Sequence, residues 1–280
     1  MATALVVEDH QDQAAMVSQM LRLNHYEPVV VAGDGESALA LARRMEPDVV
    51  LLDLMLPDIS GFDVCRRLRT DRTTMLTPVV MLTALGGNEN QTHGFRVGAN
   101  AYVTKPYGVE ELITAITAAR AWRLEMQRHH LQGEIHVELN SEITLLNDLN
   151  EFLLNLCQST PFDNEQVMQL RQAVMEMAHN AIEWGNRHQT DRIVTIRYRG
   201  YADRVEIIVR DQGPGFNLNN LPHAAVADDP FTHLDVRDNL GLRAGGFGLM
   251  ICKGMVDELR YNEAGNEVTM IKHFVAEPLQ

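Results

Sequence analysis

Polar and charged side chains follow apolar runs in the first part of the chain, each at the point where the run ends. The run at residues 5–7 is followed by Glu8 and Asp9, and the run at 49–52 is followed by Asp53. Because the carboxyl ends of neighbouring parallel strands meet at one edge of a sheet, these carboxylates are expected to converge there. Carboxylate oxygens suit Mg²⁺. The pattern therefore predicts a magnesium site.

Two further apolar runs end in groups that bind phosphate. The run at 79–82 is followed by Thr83, and the run at 101–104 is followed by Lys105. The chain has only three lysines, so an ammonium at the end of a strand is informative. A compact ammonium can act as a point charge on a phosphoryl oxygen. Each successive strand end thus supplies one polar group to the same edge.

A second group of polar residues lies on a helix predicted over 164–184. Its apolar residues recur at helical spacing, and Glu176 and Asn180 are four residues apart. Residues four apart lie on the same helix face. The helix therefore presents a carboxylate and an amide side by side.

Glycine-rich segments follow this helix. Strands predicted at 192–199 and 204–210 lead into Asp211, Gly213 and Gly215. Glycines allow a backbone to approach a ligand closely.

After a polar stretch, Gly246 and Gly248 open a predicted helix at 249–257. A helix N-terminus favours anions such as phosphates. The P-loop pattern G-x-x-x-x-G-K-[ST] does not occur in the sequence.

Composition limits the class of protein. The formal net charge is −14 and hydrophobic residues make up 45% of 280 residues. The charge argues against direct nucleic-acid binding, and no run approaches the roughly 20 apolar residues of a membrane span. Cys65, Cys157 and Cys252 are isolated, which indicates reduced thiols. We expect a cytoplasmic protein.

One long helix is predicted over 107–132, between the two groups of polar residues. Its apolar pattern breaks after Ala119, so a dimer formed through this helix is a hypothesis. The predicted division is a first domain over 1–122, a helical linker over 123–132 and a second domain over 133–280.

Residues 1–122 resemble a response-regulator receiver domain, with the segment 53–61 matching that family's phosphoacceptor loop. The resemblance implies an α/β, flavodoxin-like doubly wound parallel sheet, and an upstream histidine kinase that phosphorylates Asp53. The implied Mg²⁺ ligands are Glu8, Asp9, Asp53 and the Met55 carbonyl. By the same resemblance, Thr83 and Lys105 bind the phosphoryl group, and Thr83 and Tyr102 form the switch.

Residues from about 133 to 275 resemble the Bergerat-fold (GHKL) ATPase family, which includes gyrase, the Hsp90 chaperones, histidine kinases and anti-sigma serine kinases. The resemblance implies an α+β two-layer domain that binds Mg²⁺ and ATP. By this resemblance, Asn180 binds Mg²⁺ and Asp211 accepts a hydrogen bond from adenine. Gly213 and Gly215 lie beneath the adenine base, and Gly246 and Gly248 form the phosphate loop.

Within that family the sequence is most similar to anti-sigma serine kinases, by an opening strand at 134–139, a helix at 142–157 and the box at 176–182. This resemblance implies that Glu176 is a general base. The sequence departs from the pattern at Trp184-Gly185, where a histidine commonly precedes the glycine, and at Gly265-Asn266, where Gly-Thr is usual.

These features lead to a hypothesis of function. The chain is interpreted as a response regulator whose output is an ATP-dependent serine/threonine kinase acting on a STAS-type antagonist, with a sigma factor as a further partner. One alternative is a non-catalytic ATP-binding module that sequesters a sigma factor or antagonist. A second, raised by His129 and His130, is an atypical histidine kinase.

Overall fold

The computed structural model describes residues 2–83, 95–158, 160–216 and 248–274. Contacts between residues divide the chain into two compact units, Met1–Ile135 and His136–Gln280. The domain and linker boundaries predicted from the sequence stay predictions.

The first unit contains a five-stranded sheet in the order β2-β1-β3-β4-β6, and its neighbouring strands are parallel. This order confirms the predicted flavodoxin-like doubly wound fold. The elements are β1 (Ala2–Val7), α1 (Gln11–Leu23), β2 (Tyr26–Ala32), α2 (Gly35–Met45), β3 (Val49–Asp53), α3 (Gly61–Thr70), β4 (Val79–Thr83), β5 (Phe95–Val97), β6 (Ala101–Thr104) and α4 (Val109–Arg128).

Helices cover both faces of this sheet, which explains its continuous apolar strands. Every residue of β3 and β4 is buried. Alternate side chains of β1 enter different cores, so that Leu5 joins the core with α2 and α3 while Val6 joins the core with α1 and α4. Burial on both faces is the condition under which parallel strands read as unbroken hydrophobic runs.

The helix predicted over 107–132 is shorter at both ends in the structure. It begins at Val109, after Gly108 as N-cap, and ends at Arg128. His130 adopts a left-handed conformation with φ of 56°, and strand β7 begins at Gly133. The prediction that the whole segment 123–132 is helical was therefore wrong in its last four residues, because the chain turns there to enter a strand.

Helix α3 of the first unit carries a buried arginine. Arg69 is 1% exposed, and its guanidinium donates to the carbonyl oxygens of Met75 (3.2 Å) and Thr77 (2.8 Å) and to Asn100 Oδ1 (2.8 Å). The ring of Trp122 on α4 lies 5.6 Å from its charged carbon. Burial lowers the pKa of Arg69. The neutral acceptors and the aromatic face offset part of this effect and stabilise the charge of the guanidinium.

The second unit is an α+β layer structure, as predicted. Its strands β7 (Gly133–Asn140), β8 (Ile193–Gly200), β9 (Arg204–Arg210), β10 (Glu258–Tyr261) and β11 (Glu267–His273) lie in the order β10-β11-β9-β8-β7. The β10–β11, β11–β9 and β9–β8 pairs are antiparallel. Alternating burial along β7, β8 and β9 shows that one face of the sheet is covered.

The described residues of the second unit form three α-helices, which are α5 (Leu146–Cys157), α6 (Asn164–Asn180) and α7 (Gly248–Met255). Helix α6 packs against α5 and α7 and contacts β9 and β11. It begins with a capping box between Asp163 and Gln166, and it continues as a π-helical turn over Ala181–Gly185. This turn lies immediately after Asn180.

All three cysteines are buried and free, as expected for small apolar side chains. Burial raises the pKa of Cys157 to about 11 and that of Cys252 to about 12. Among the helices in the described ranges, none combines the length and hydropathy needed for a membrane span.

The buried contacts of Arg69 predict a large loss of stability when its side chain is removed. Arg69→Ala leaves two carbonyl oxygens without their donor and creates a cavity, so the free energy of unfolding is expected to fall by about 3 kcal/mol. Arg66 on the same helix makes a surface ion pair with Asp63, and Arg66→Ala is expected to cost under about 1 kcal/mol. Urea unfolding followed by Trp122 fluorescence in a Trp184→Phe background measures both. Equal effects of the two substitutions would contradict the stabilising role of Arg69.

Candidate functional site

Three of the predicted residues meet at one edge of the parallel sheet. Lys105 Nζ donates to Asp53 Oδ2 at 2.7 Å, to Glu8 Oε2 at 2.8 Å and to Gln13 Oε1 at 2.7 Å. Asp53 is 7% exposed and Glu8 only 2%. The carboxylates at the ends of β1 and β3 are therefore held by the ammonium that follows β6.

The pKa values of Glu8 and Lys105 reflect their burial and their contact. Burial raises the pKa of Glu8, and the hydrogen bond from Lys105 offsets only part of this effect. Burial opposes the charge of Lys105, but its hydrogen bonds to Asp53 and Glu8 outweigh burial and raise its pKa. The ammonium therefore stays charged at neutral pH.

The loop after Asp53 is fixed by backbone contacts. The N–H of Met55 donates to Asp53 Oδ1 at 3.2 Å, and the N–H of Gly61 donates to the Leu54 carbonyl at 2.9 Å. A Cβ at Gly61 would lie 2.2 Å from the Asp53 carbonyl oxygen, so only glycine fits. Asp58 accepts from the N–H groups of Gly35 and Glu36, which lowers its pKa to about 2.

The two predicted switch residues differ in environment. Thr83 is 2% exposed at the end of β4, and its carbonyl accepts from the Lys105 N–H at 2.6 Å. Tyr102 is 44% exposed and borders a surface cavity of about 570 Å³ that Glu111 and Ala115 also line. The structure thus places the threonine inside, beside Lys105, and the tyrosine at the surface.

Oxygen donors suited to a divalent cation lie at this edge. Among the described residues, ligand atoms of Glu8, Asp9 and His10 lie within 4.8 Å of one another. His10 Nδ1 lies 2.8 Å from Asp9 Oδ1, and this contact raises the pKa of His10. Hard carboxylate oxygens beside the Asp53 carboxylate fit Mg²⁺.

The structure adds two residues to the set predicted for this edge. Gln13, on the first turns of α1, accepts from Lys105, and His10 precedes the same helix. The only sequence signal was their position just after the acid pair.

In the second unit, Glu176 contacts the start of α7. A Cβ at Gly248 would lie 1.9 Å from Glu176 Oε1, so a side chain at position 248 would displace the carboxylate. Asn180 follows one turn later on the same helix face and is half-buried. Gly246, the other glycine predicted for the phosphate loop, lies outside the described residues.

Asp211 is held in a tight glycine-lined turn. Its Oδ1 accepts from the Gly213 N–H at 2.7 Å, and burial raises its pKa against that hydrogen bond. A Cβ at Gly185 would lie 2.3 Å from the carboxyl carbon of Asp211, and a Cβ at Gly213 would lie 2.2 Å from the Gly185 carbonyl oxygen. Gly185, noted in the sequence only as a departure from the family pattern, is therefore part of this site.

The segment before β11 encloses the other side of the same turn. Gly215 has φ of 74°, and a Cβ there would lie 1.8 Å from the Ala264 carbonyl oxygen. The N–H of Asp211 donates to the Asn266 carbonyl at 3.0 Å, and Asn266 Nδ2 donates to the Gly213 carbonyl at 3.4 Å. Asn266, which stands where threonine is usual in the family, thus binds the glycine turn directly.

Comparisons with known proteins match each unit to a family. The family model described as "Response regulator receiver domain" matches residues 4–117, and the one described as "Histidine kinase-like ATPase domain" matches residues 139–272. These matches confirm both resemblances, to a receiver domain and to a GHKL-type ATPase domain that follows it.

Individual relatives cover part of the chain. "Sensory transduction protein RegX3" of Mycolicibacterium smegmatis is 46% identical over 118 residues, which are 42% of this chain and 50% of that protein. "DNA-binding dual master transcriptional regulator RpaA" of Synechocystis is 43% identical over 118 residues, 42% of this chain and 48% of that protein. The chain spans about half the length of these curated relatives. The solved structure of Vibrio cholerae chemotaxis protein CheY4 is 32% identical and covers 42% of this chain and 98% of its own, with a TM-score of 0.39.

Removal of the Lys105 ammonium is expected to destabilise the first unit in a pH-dependent manner. Lys105→Met leaves the Glu8 and Asp53 carboxylates uncompensated, which should cost about 2 kcal/mol of unfolding free energy at pH 8. Without the lysine, the pKa of Glu8 rises further above its unfolded value, so the variant loses stability as pH increases. Wild-type Lys105 keeps its full contribution below the pKa of an unfolded lysine, and loses it only as pH rises through its own raised pKa.

The deficit of Lys105→Met is therefore expected to be larger near pH 8 than near pH 5, as measured by urea unfolding with Trp122 fluorescence in a Trp184→Phe background. Lys253→Met, at an exposed position on α7, is the matched control and should leave stability within about 0.5 kcal/mol of wild type. A deficit independent of pH would show that the two carboxylates do not depend on the ammonium.

Proposed function

We propose that this chain, which joins a response regulator receiver domain to a histidine kinase-like ATPase domain, is a response regulator with a protein serine/threonine kinase as its output. A histidine kinase phosphorylates Asp53, and this changes the access of the ATPase domain to a STAS-type antagonist whose serine is the substrate. A sigma factor is a further partner of the same switch.

The contact between Glu176 and Gly248 carries the kinase proposal. It brings a carboxylate to the N-terminus of a helix, where backbone N–H groups favour phosphate oxygens. A general base must lie within reach of the hydroxyl that attacks the phosphoryl group. A carboxylate against the phosphate-binding turn meets this requirement, whereas a solvated carboxylate on a helix surface would not.

The residues of the second unit have distinct roles in the proposed reaction. The substrate serine oxygen bonds to the γ-phosphorus of ATP, the bond to the β–γ bridging oxygen breaks, ADP leaves, and the serine proton passes to Glu176. Asp211 accepts a hydrogen bond from the adenine amine, and the glycine turn around Gly213 and Gly215 allows the base to approach the backbone. Asn180 would hold Mg²⁺, which neutralises phosphate charge when bound.

The first unit supplies the input. Asp53 offers a carboxylate oxygen as phosphoryl acceptor, and Lys105 is already hydrogen-bonded to it and can move to a phosphoryl oxygen. Glu8, Asp9, Asp53 and the Met55 carbonyl would hold Mg²⁺ there. Thr83 and Tyr102 are the proposed switch, with Thr83 shifting towards the phosphoryl group and Tyr102 moving inwards from its exposed position.

A sequestering module is the second candidate. Trp184 stands next to the Asp211 turn and is 39% exposed, and an exposed indole suits a protein contact. In this alternative the ATPase domain binds nucleotide and captures the partner without phosphorylating it. The histidine-kinase alternative has less support, because the described residues between the receiver sheet and β7 hold one helix, Val109–Arg128, where a dimerising kinase needs two.

Phosphotransfer by Glu176 variants separates the two candidates. With Mg-ATP and a STAS-domain protein, the wild-type chain is expected to add one phosphoryl group to the partner, seen by intact-mass spectrometry. Glu176→Gln is expected to reduce the rate by about 100-fold or more while nucleotide still binds. Asn180→Ala is expected to weaken Mg-ATP binding about tenfold or more, measured by calorimetry.

Glu183→Gln is the matched control, because Glu183 lies seven residues further on and pairs with His179. It should retain wild-type phosphotransfer. Stable co-purification of the partner with no gain in mass, in wild type and variant alike, would leave sequestration as the function.

Coupling between the two domains depends on Asp53 in this proposal. Beryllofluoride, which mimics phospho-aspartate, is expected to change the phosphotransfer rate or the partner affinity of the wild-type chain by about threefold or more. Asp53→Asn should abolish that response, because beryllofluoride has no carboxylate to bind. Asp58→Asn, in the same loop, is the control and should respond like wild type. A response that survives Asp53→Asn, or no response in any of the three chains, would show that the domains are not coupled through Asp53.

A further inference from the structure

Asn186 is a buried amide next to the proposed adenine site, and neither the sequence patterns nor the family matches assign it a role. It is 0% exposed and lies directly after the π-helical turn that ends at Gly185. The inference drawn from it rests on the proposed function, since it concerns the way in which Asp211 recognises adenine.

Within the described residues, the side chain of Asn186 makes hydrogen bonds to three separate segments of the chain. Its Oδ1 accepts from the Gln212 N–H at 2.8 Å, and its Nδ2 donates to Ser141 Oγ at 2.9 Å and to the Ile193 carbonyl at 3.1 Å. A backbone N–H requires an acceptor and a carbonyl requires a donor, so the orientation of the amide is fixed by its partners. A hydrophobic side chain of the same size would satisfy none of them.

These contacts immobilise the residue that follows Asp211. Gln212 is bound on both sides, since its N–H donates to Asn186 and its Oε1 accepts from the Ile193 N–H at 2.9 Å. The adjacent Gly185 leaves no room for Asp211 to move towards it, because the space of a Cβ there is already filled by the carboxyl group. Gly185 thus limits the position of the carboxylate from one side, while Asn186 anchors the backbone that carries it.

We infer that Asn186 is a positioning residue for base recognition, which holds Asp211 where it accepts a hydrogen bond from the exocyclic amine of adenine. A site built to bind a particular hydrogen-bonding group rejects an analogue that lacks it, provided that the acceptor is held in place. Without Asn186, the Asp211 turn loses the hydrogen bond to the Gln212 N–H, and the Asp211 carboxylate is held less rigidly. The preference for a 6-amino purine over a 6-oxo purine should then decrease.

The test compares ADP with inosine diphosphate, in which an oxygen replaces the exocyclic amine. Calorimetry on the full chain is expected to show that Asn186→Ala weakens ADP about tenfold, the equivalent of one well-placed hydrogen bond, while inosine diphosphate changes by less than about threefold. A residue that only stabilised the fold would lower both affinities by the same factor, so the ratio of the two affinities is the decisive quantity.

Ser141→Ala is the matched control. Ser141 is buried, accepts from Asn186 and donates to the Arg192 carbonyl at 2.9 Å, so its removal damages the same network but leaves the contact between Asn186 and Gln212. It should lower thermal stability without changing the ratio. Should Asn186→Ala not fold, Asn186→Ser keeps a hydroxyl in the buried site and is too short to reach the Gln212 N–H, so it makes the same test.

Each outcome is decisive. A fall in the ADP to inosine diphosphate preference in the Asn186 variant, but not in Ser141→Ala, supports the inference. Wild-type binding of ADP combined with an equal loss of both nucleotides in the Asn186 variant overturns the inference and leaves the proposed function standing. A wild-type chain that binds neither nucleotide overturns the proposed function, and the inference with it.

Discussion

The ion pairs between Lys105 and two buried carboxylates are the interaction on which the first unit's chemistry depends. Glu8 and Asp53 lie at the ends of neighbouring parallel strands, where the sheet geometry leaves them little freedom to separate. Two buried carboxylates are costly unless a cation compensates them. The same ammonium is the group that a phosphoryl oxygen would attract, so the resting contact and the proposed activated contact compete for one side chain.

A different constraint governs the second unit, where backbone and carboxylates approach so closely that side chains are excluded. Glu176 fills the space beside Gly248, and Asp211 fills the space beside Gly185. In both places a glycine is required by the close approach of a carboxylate rather than by a positive φ. The two glycines therefore determine where the two carboxylates lie. An alanine at either position would displace the neighbouring carboxylate directly.

The sequence predicted those parts of the site that depend on local pattern. Asp53, Thr83 and Lys105 were found because each follows an apolar run, and parallel-sheet geometry then brings them together. Glu176 and Asn180 were paired by helical spacing. Gln13, Gly185 and Asn186 were not assigned, because their roles arise from contacts with Lys105, Asp211 and Gln212, respectively, and no local periodicity encodes such pairs. The end of α4 was misplaced because the left-handed residue His130 has no signal of the kind that glycine gives.

Contacts inside the first unit extend from the start of β4 to the start of β7. Asn100 Oδ1 accepts from the Val79 N–H at 2.7 Å and from Arg69, and Arg69 lies over Trp122. Trp122 Nε1 in turn donates to Glu134 Oε2 at 3.1 Å, at the beginning of β7.

Coupling between the two domains requires more than such a series of contacts. It also requires an element with two arrangements, whose equilibrium both sites bias. Strand β7 is the covalent connection between the two units, because its first residues belong to the first unit and the strand continues in the sheet of the second.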